Sequence, residues 1–164
     1  MRRFLSSCLL LLPLFASAAR ADDADAVLGT WLTQDGKSQV QIERHDGVYE
    51  GRIVWLKEPK YTALDKEGVP GHPKVDLRNP DKALQARPII GLPLIQGFKY
   101  AGDGVWSDGT IYDPRNGKTY SCKMTMMMDG RLKVRGYVGI SLFGETEIWT
   151  RPTADAAPPA ATKP

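Results

Sequence analysis

Few side chains in this sequence are of kinds that do chemistry, and most of those fall in one run, SDGTIYDPRNGKTYSCKMTMMMDGRLKVRGY, from Ser107 to Tyr137. Its thiol is Cys122 and its acid pair is Asp108 and Asp113. A nucleophilic thiol needs a base within hydrogen-bond reach, held in place by a third group. The two histidines, His45 and His72, stand in no ligand or triad spacing with each other or with Cys122, so neither a metal nor any other cofactor is expected. Cys122 falls on an apolar strand face, where burial raises a thiol pKa rather than lowering it. Asp108 and Asp113 could be written as a glycosidase pair. Both adjoin turn-forming Gly or Pro, however, and turn chemistry accounts for them without catalysis. With no nucleophile elbow, phosphate loop or dinucleotide fingerprint either, the expectation is a protein that is not an enzyme. A hydrolase using the acid pair is the alternative.

The elements that must position these residues read as strands. Val27 to Thr33, Ser38 to Arg44 and Val48 to Leu56 alternate apolar and polar residues between Asp-Gly turns. Asp113 to Gly117 has the composition of a four-residue hairpin loop, with Gly117 or Asn116 in the left-handed position. Thr119 to Met128 then puts Tyr120, Cys122, Met124, Met126 and Met128 on one face, and Leu132, Val134, Gly136 and Val138 follow on the next strand. In the last strand Glu145 and Glu147 are expected on a solvated face, paired across to Lys133 and Arg135. With Phe98 to Ala101 and Val105 to Tyr112, this makes an all-β chain of about eight strands. Such a meander closes most simply into an antiparallel up-and-down barrel, whose interior is filled by side chains or holds one small ligand. An open sandwich is the other architecture.

One segment interrupts the meander. Residues 57–96 hold six of the twelve prolines and form an insertion, read either as a lid over a barrel mouth or as a spacer packed on its rim. Within it NPDKALQAR has the chemistry of a short helix, capped by Asn79 and stopped by Pro88.

A barrel with an interior directs attention to binding. Tyr49, Trp55, Tyr120, Met124 and Met126 could line a pocket. Arg52 and Arg135, if turned inward, would offer a charge to a carboxylate or phosphate. The ligand such residues suit is a small amphiphile or lipid fragment. A filled barrel acting as a protein-interaction or envelope-maintenance module is the alternative, and the protein partner is open.

The ends of the chain concern compartment. Residues 1–21 read as a secretory signal peptide: basic Arg2 and Arg3, an apolar run, and Ala19-Arg20-Ala21 before the cut. The run is too short for a transmembrane span. Loss of Arg2, Arg3 and Arg20 brings the 22 basic side chains level with the 19 acidic ones, which removes the footprint of a nucleic-acid binder. Loss of Cys8 leaves Cys122 without an intramolecular partner. The mature domain is 22–152, periplasmic or secreted, and 153–164 is an Ala/Pro-rich tail without periodicity.

The ordered series GTWLT, YEGRIVWL, DLRNPD, ARPIIGLPLIQGF, WSDGTIYDPRNGKTY, LKVRGYVGISLFG and WTR resembles the bacterial exported family known as domain of unknown function 2147, from about Val27 to Pro152. That resemblance implies a protein of the bacterial envelope and no assigned activity. Glu145 departs from it, standing where a basic residue is expected. Gly29, Trp31 and Arg151 are similar to the lipocalin and calycin pattern, in which a last-strand Arg packs over a first-strand Trp and closes one end of the barrel. For these three residues the resemblance implies a structural role.

Overall fold

The computed structural model describes residues 23–140, 142 and 144–153. The signal peptide expected over 1–21 and the tail from 154 onward lie outside the described residues. Eight antiparallel strands run in simple succession: β1 (Gly29–Leu32), β2 (Ser38–His45), β3 (Val48–Leu56), β4 (Pro93–Gly102), β5 (Val105–Asp113), β6 (Lys118–Met126), β7 (Leu132–Tyr137) and β8 (Gly144–Trp149). The sheet curls until its two edges meet. There Leu32 and Thr150 exchange both backbone hydrogen bonds, at 2.7 and 3.0 Å.

Local chemistry explains the succession. Asp46-Gly47 and Asp103-Gly104 each place two consecutive residues at positive φ between paired strand ends, the backbone of a two-residue hairpin whose twist matches its strands. Between β5 and β6 the four-residue loop is built as its composition implies. Gly117 takes φ +71° and donates its amide to Asp113 O at 2.8 Å, and the Asp113 carboxylate accepts from the Arg115 amide at 2.9 Å.

The inner face carries one apolar core, including Trp31, Val40, Ile42, Tyr49, Phe98, Trp106, Cys122, Met124, Leu132 and Trp149. Gly109 belongs to it by absence, since a Cβ there would stand 2.2 Å from the Phe98 ring. Burial pushes the Cys122 thiol pKa up to about 12, and the side chain packs as a small hydrophobe.

Several expectations are corrected. β4 starts at Pro93, so the connection between β3 and β4 spans only 57–92. Its expected helix is a single 3-10 turn, Lys82–Leu84, capped by Asp81, which accepts from the Ala83 amide at 2.9 Å. Asn79 does not cap it. Its carbonyl oxygen accepts from the Asp81 amide and its amide nitrogen is held by Asp76, so the chain turns before it can wind. Met128 and Val138 fall beyond the ends of β6 and β7 and are exposed.

The largest correction concerns β8. Glu147 pairs across from Val134 and Glu145 from Gly136, whereas Lys133 and Arg135 oppose Ile148 and Thr146. Side chains alternate across a sheet, so the two acids share the inner face with Val134 and Trp149. Among the described residues no ion pair joins either acid to Lys133 or Arg135, which stand across from other residues.

Candidate functional site: a cavity at one end of the barrel

One end is sealed. The Arg151 guanidinium lies over the Trp31 ring, its carbon 3.8 Å from the ring centre, and donates to Ala26 O at 2.8 Å and Thr30 O at 3.3 Å. The indole nitrogens of Trp31 and Trp106 donate to Val27 O at 2.7 Å and Ala24 O at 3.2 Å, which ties the segment before β1 across this end. Tyr49 packs edge-on against Trp106, and Arg44 bridges to Asp25 in the same corner.

The other end holds a cavity of about 1030 Å³, at the upper limit of the roughly 300–1,000 Å³ common for small-molecule sites. Its inner wall is apolar, from Ile53, Leu94, Ile111, Val134 and Trp149. Glu147 interrupts that wall, half-buried, its Oε2 accepting from the Trp149 indole nitrogen at 2.7 Å. The mouth is framed by the 57–92 connection (Tyr61, Lys74 and Arg78 among it), by the Asp113–Asn116 loop and by the start of β8.

The rim charges are mostly paired with each other. Arg78 donates twice to Glu67, at 2.7 and 3.2 Å. Lys74 stands 3.4 Å from Asp65 and 3.7 Å from Glu58. Arg115 reaches both oxygens of Asp113, at 2.9 and 3.1 Å, a bond that raises its pKa, with Glu147 and Asp35 adding to the effect through space.

What holds the connection over the barrel is a buried polar cluster that the sequence reading did not find. Asp76 has no exposed surface. Its carboxylate accepts from Tyr112 Oη at 2.7 Å, Asn79 Nδ2 at 2.7 Å and Arg87 Nη2 at 3.1 Å. Burial, reinforced by the Asp76 carboxylate, pushes the Tyr112 phenol pKa up to about 12. Beside the cluster a Cβ on Gly117 would stand 1.9 Å from Arg78 O, so the DLRNPD segment and the DPRNG loop touch backbone to backbone. A buried carboxylate is tolerable only when paired and hydrogen-bonded, and Asp76 is both.

Of the seven side chains considered for a ligand, Tyr120 lines the cavity. Tyr49 and Met124 are buried in the core, and Met126 is half-buried against it. Arg52 lies on the outer face, 2.9 Å from Glu43. Arg135 also faces outward, donating to Thr146 Oγ1 at 2.7 Å and Leu142 O at 3.0 Å. Trp55 does not reach the lining, whereas Leu56 does, because the register of β2 and β3 slips between Gln39 and Val40. Asp108 and Asp113 share no site. Asp108 is exposed in a bulge of β5 at φ 63°, whereas Asp113 stands at the cavity mouth.

Among the described residues no three His, Cys, Asp or Glu side chains gather as a metal site requires, and no helix is long and apolar enough to cross a membrane. No curated protein matches the sequence. The fold is similar to that of a solved structure from Helicobacter pylori, described as protein HP1028 belonging to the lipocalin family, with a TM-score of 0.63 at 22% identity over 79% of this chain and 84% of that one. At that identity the likeness concerns the fold. The strand order, the seal and the motif series converge with a family-model match over residues 29–151, so the chain belongs to the bacterial family described as "Uncharacterized protein conserved in bacteria (DUF2147)".

Proposed function

We propose that this chain is an exported, non-catalytic binding protein whose barrel takes up a small amphiphile through the mouth framed by residues 57–92. The observation that carries this reading is the cavity itself: an apolar wall, a polar rim and a sealed far end. Apolar walls favour a hydrocarbon chain by about 25 cal/mol for each Å² removed from water, and the rim leaves a polar head hydrated. Fold alone assigns no ligand; the shape and lining of this end are what support one.

In the same reading the leader 1–21 is removed after Ala21, residues 22–152 form the working domain in the periplasm or outside the cell, and the 57–92 connection serves as a partial cover. Two acids at separate places, Asp108 and Asp113, supply no catalytic pair, which favours binding over hydrolysis.

The test is a titration of delipidated protein with uncharged and charged ten-carbon ligands, followed by calorimetry and by indole fluorescence, since Trp149 lines the wall. Saturable binding, weakened when Val134→Trp narrows the apolar wall, supports the reading. Absence of binding by every member of the series, in protein that remains folded, overturns it.

A further inference from the structure

We propose that the head group selected by this cavity is a cation, so that the ligand is an alkylammonium: one hydrocarbon chain along the apolar wall, with its protonated amine on Glu147. The inference rests on the amphiphile reading and adds the chemistry of the head.

The rim cations with nearby acids are already engaged, Arg78 by Glu67, Lys74 by Asp65 and Arg115 by Asp113, although Arg115 also feels Glu147 through space without bonding to it. Lys37, Lys57 and Lys66 also line the mouth, but they are exposed, and water and salt screen a charge there. Glu147 differs in depth. It projects from the inner face of β8 between Val134 and Trp149, half-buried, and no ion pair among the described residues includes it. Its Oε2 accepts a hydrogen bond from the Trp149 indole, and its Oε1 has no hydrogen bond among the described residues.

A partly dehydrated carboxylate gains most from a charge-assisted donor, about twice the strength of a neutral hydrogen bond. An ammonium supplies up to three such donors and cancels the charge. A ligand carboxylate in the same place would meet like charge near an apolar wall, where repulsion is strong. Specificity thus has an attractive and a repulsive part in one side chain.

The experiment compares decylamine, decanol and decanoate, each below its micelle concentration at pH 7, by calorimetry on the delipidated mature chain. The expected result is that the amine binds about tenfold or more tightly than either neighbour. In Glu147→Gln, which keeps an acceptor for the Trp149 indole, the amine falls to the affinity of decanol measured in that same variant. Glu50→Gln, on the exposed outer face of β3, keeps the preference. Decanoate binding as tightly as the amine, or a preference surviving in Glu147→Gln, overturns the cationic head and leaves the amphiphile reading standing. Failure of all three to bind overturns both.

Discussion

Arg151, two residues past the end of the last strand, stacks on Trp31 and so joins the two ends of the sheet through one cation and one indole. The contact is more than a charge over a ring, because the guanidinium also donates to the carbonyls of Ala26 and Thr30. Arg151→Ala should cost about 1–2 kcal/mol, combining cation–π and hydrogen-bond losses. Arg151→Lys should recover only part, since an ammonium cannot lie flat on the ring and reach two carbonyls together. Urea unfolding of the three proteins checks the order.

Asp76 and Tyr112 make a second long-range tie, and its loss should be larger. Asp76→Ala leaves Tyr112, Asn79 and Arg87 without their shared acceptor; removing one partner of a buried pair typically costs about 3–5 kcal/mol. Tyr112→Phe, which leaves the other two donors on the carboxylate, should cost about 1–3 kcal/mol. In both variants limited proteolysis should cut first within 57–92, and unchanged cleavage would show that the cluster does not hold that connection.

The same pair gives a pH dependence. A phenol whose pKa rises from 10.0 to about 12 on folding binds its proton more tightly in the native state. Its contribution is therefore complete below pH 10 and is lost as pH climbs from 10 towards 12. Cys122 behaves alike from 9.0 to about 12. Ultraviolet titration should show a late-ionising component that is lost in Tyr112→Phe, and the Cys122 thiol should resist alkylation at pH 8 until the chain unfolds.

Gly117 and Gly130 allow a controlled comparison. Both have positive φ, +71° and +80°, but a Cβ at 130 meets nothing within 4 Å, whereas one at 117 collides with Arg78 O. Gly117→Ala should thus destabilise by about 1–3 kcal/mol more than Gly130→Ala, read as a difference in urea midpoints.

How far the sequence discloses this molecule depends on whether a signal is local. The Asp-Gly turns and the alternation in β2 and β6 are local, and the strand count follows from them. Glu147 was misread because charge was taken as the guide to face, although Trp149, two residues on, shares its face and is large enough to demand the interior. Arg52 and Arg135, which strand alternation alone leaves free to face either way, both lie outside. Asp76 and Tyr112 stand 36 residues apart, and no periodicity links them. DLRNPD and TIYDPRNG are both prominent motifs, yet only their meeting in space shows that each completes the other.

The bridge between Leu32 and Thr150 fastens the perimeter by a single residue pair, whereas every other neighbouring pair of strands shares several. Gln34 adds one clasp, its side-chain oxygen accepting from the Ile148 amide at 2.8 Å. Thermal breathing should therefore concentrate along this line, with deuterium entering the Leu32, Ile148 and Thr150 amides ahead of those in β5 and β6. Trp149 and Glu147 both stand beside it. A guest bulkier than the resting cavity would gain room by parting this seam, at the edge that carries the Glu147 carboxylate.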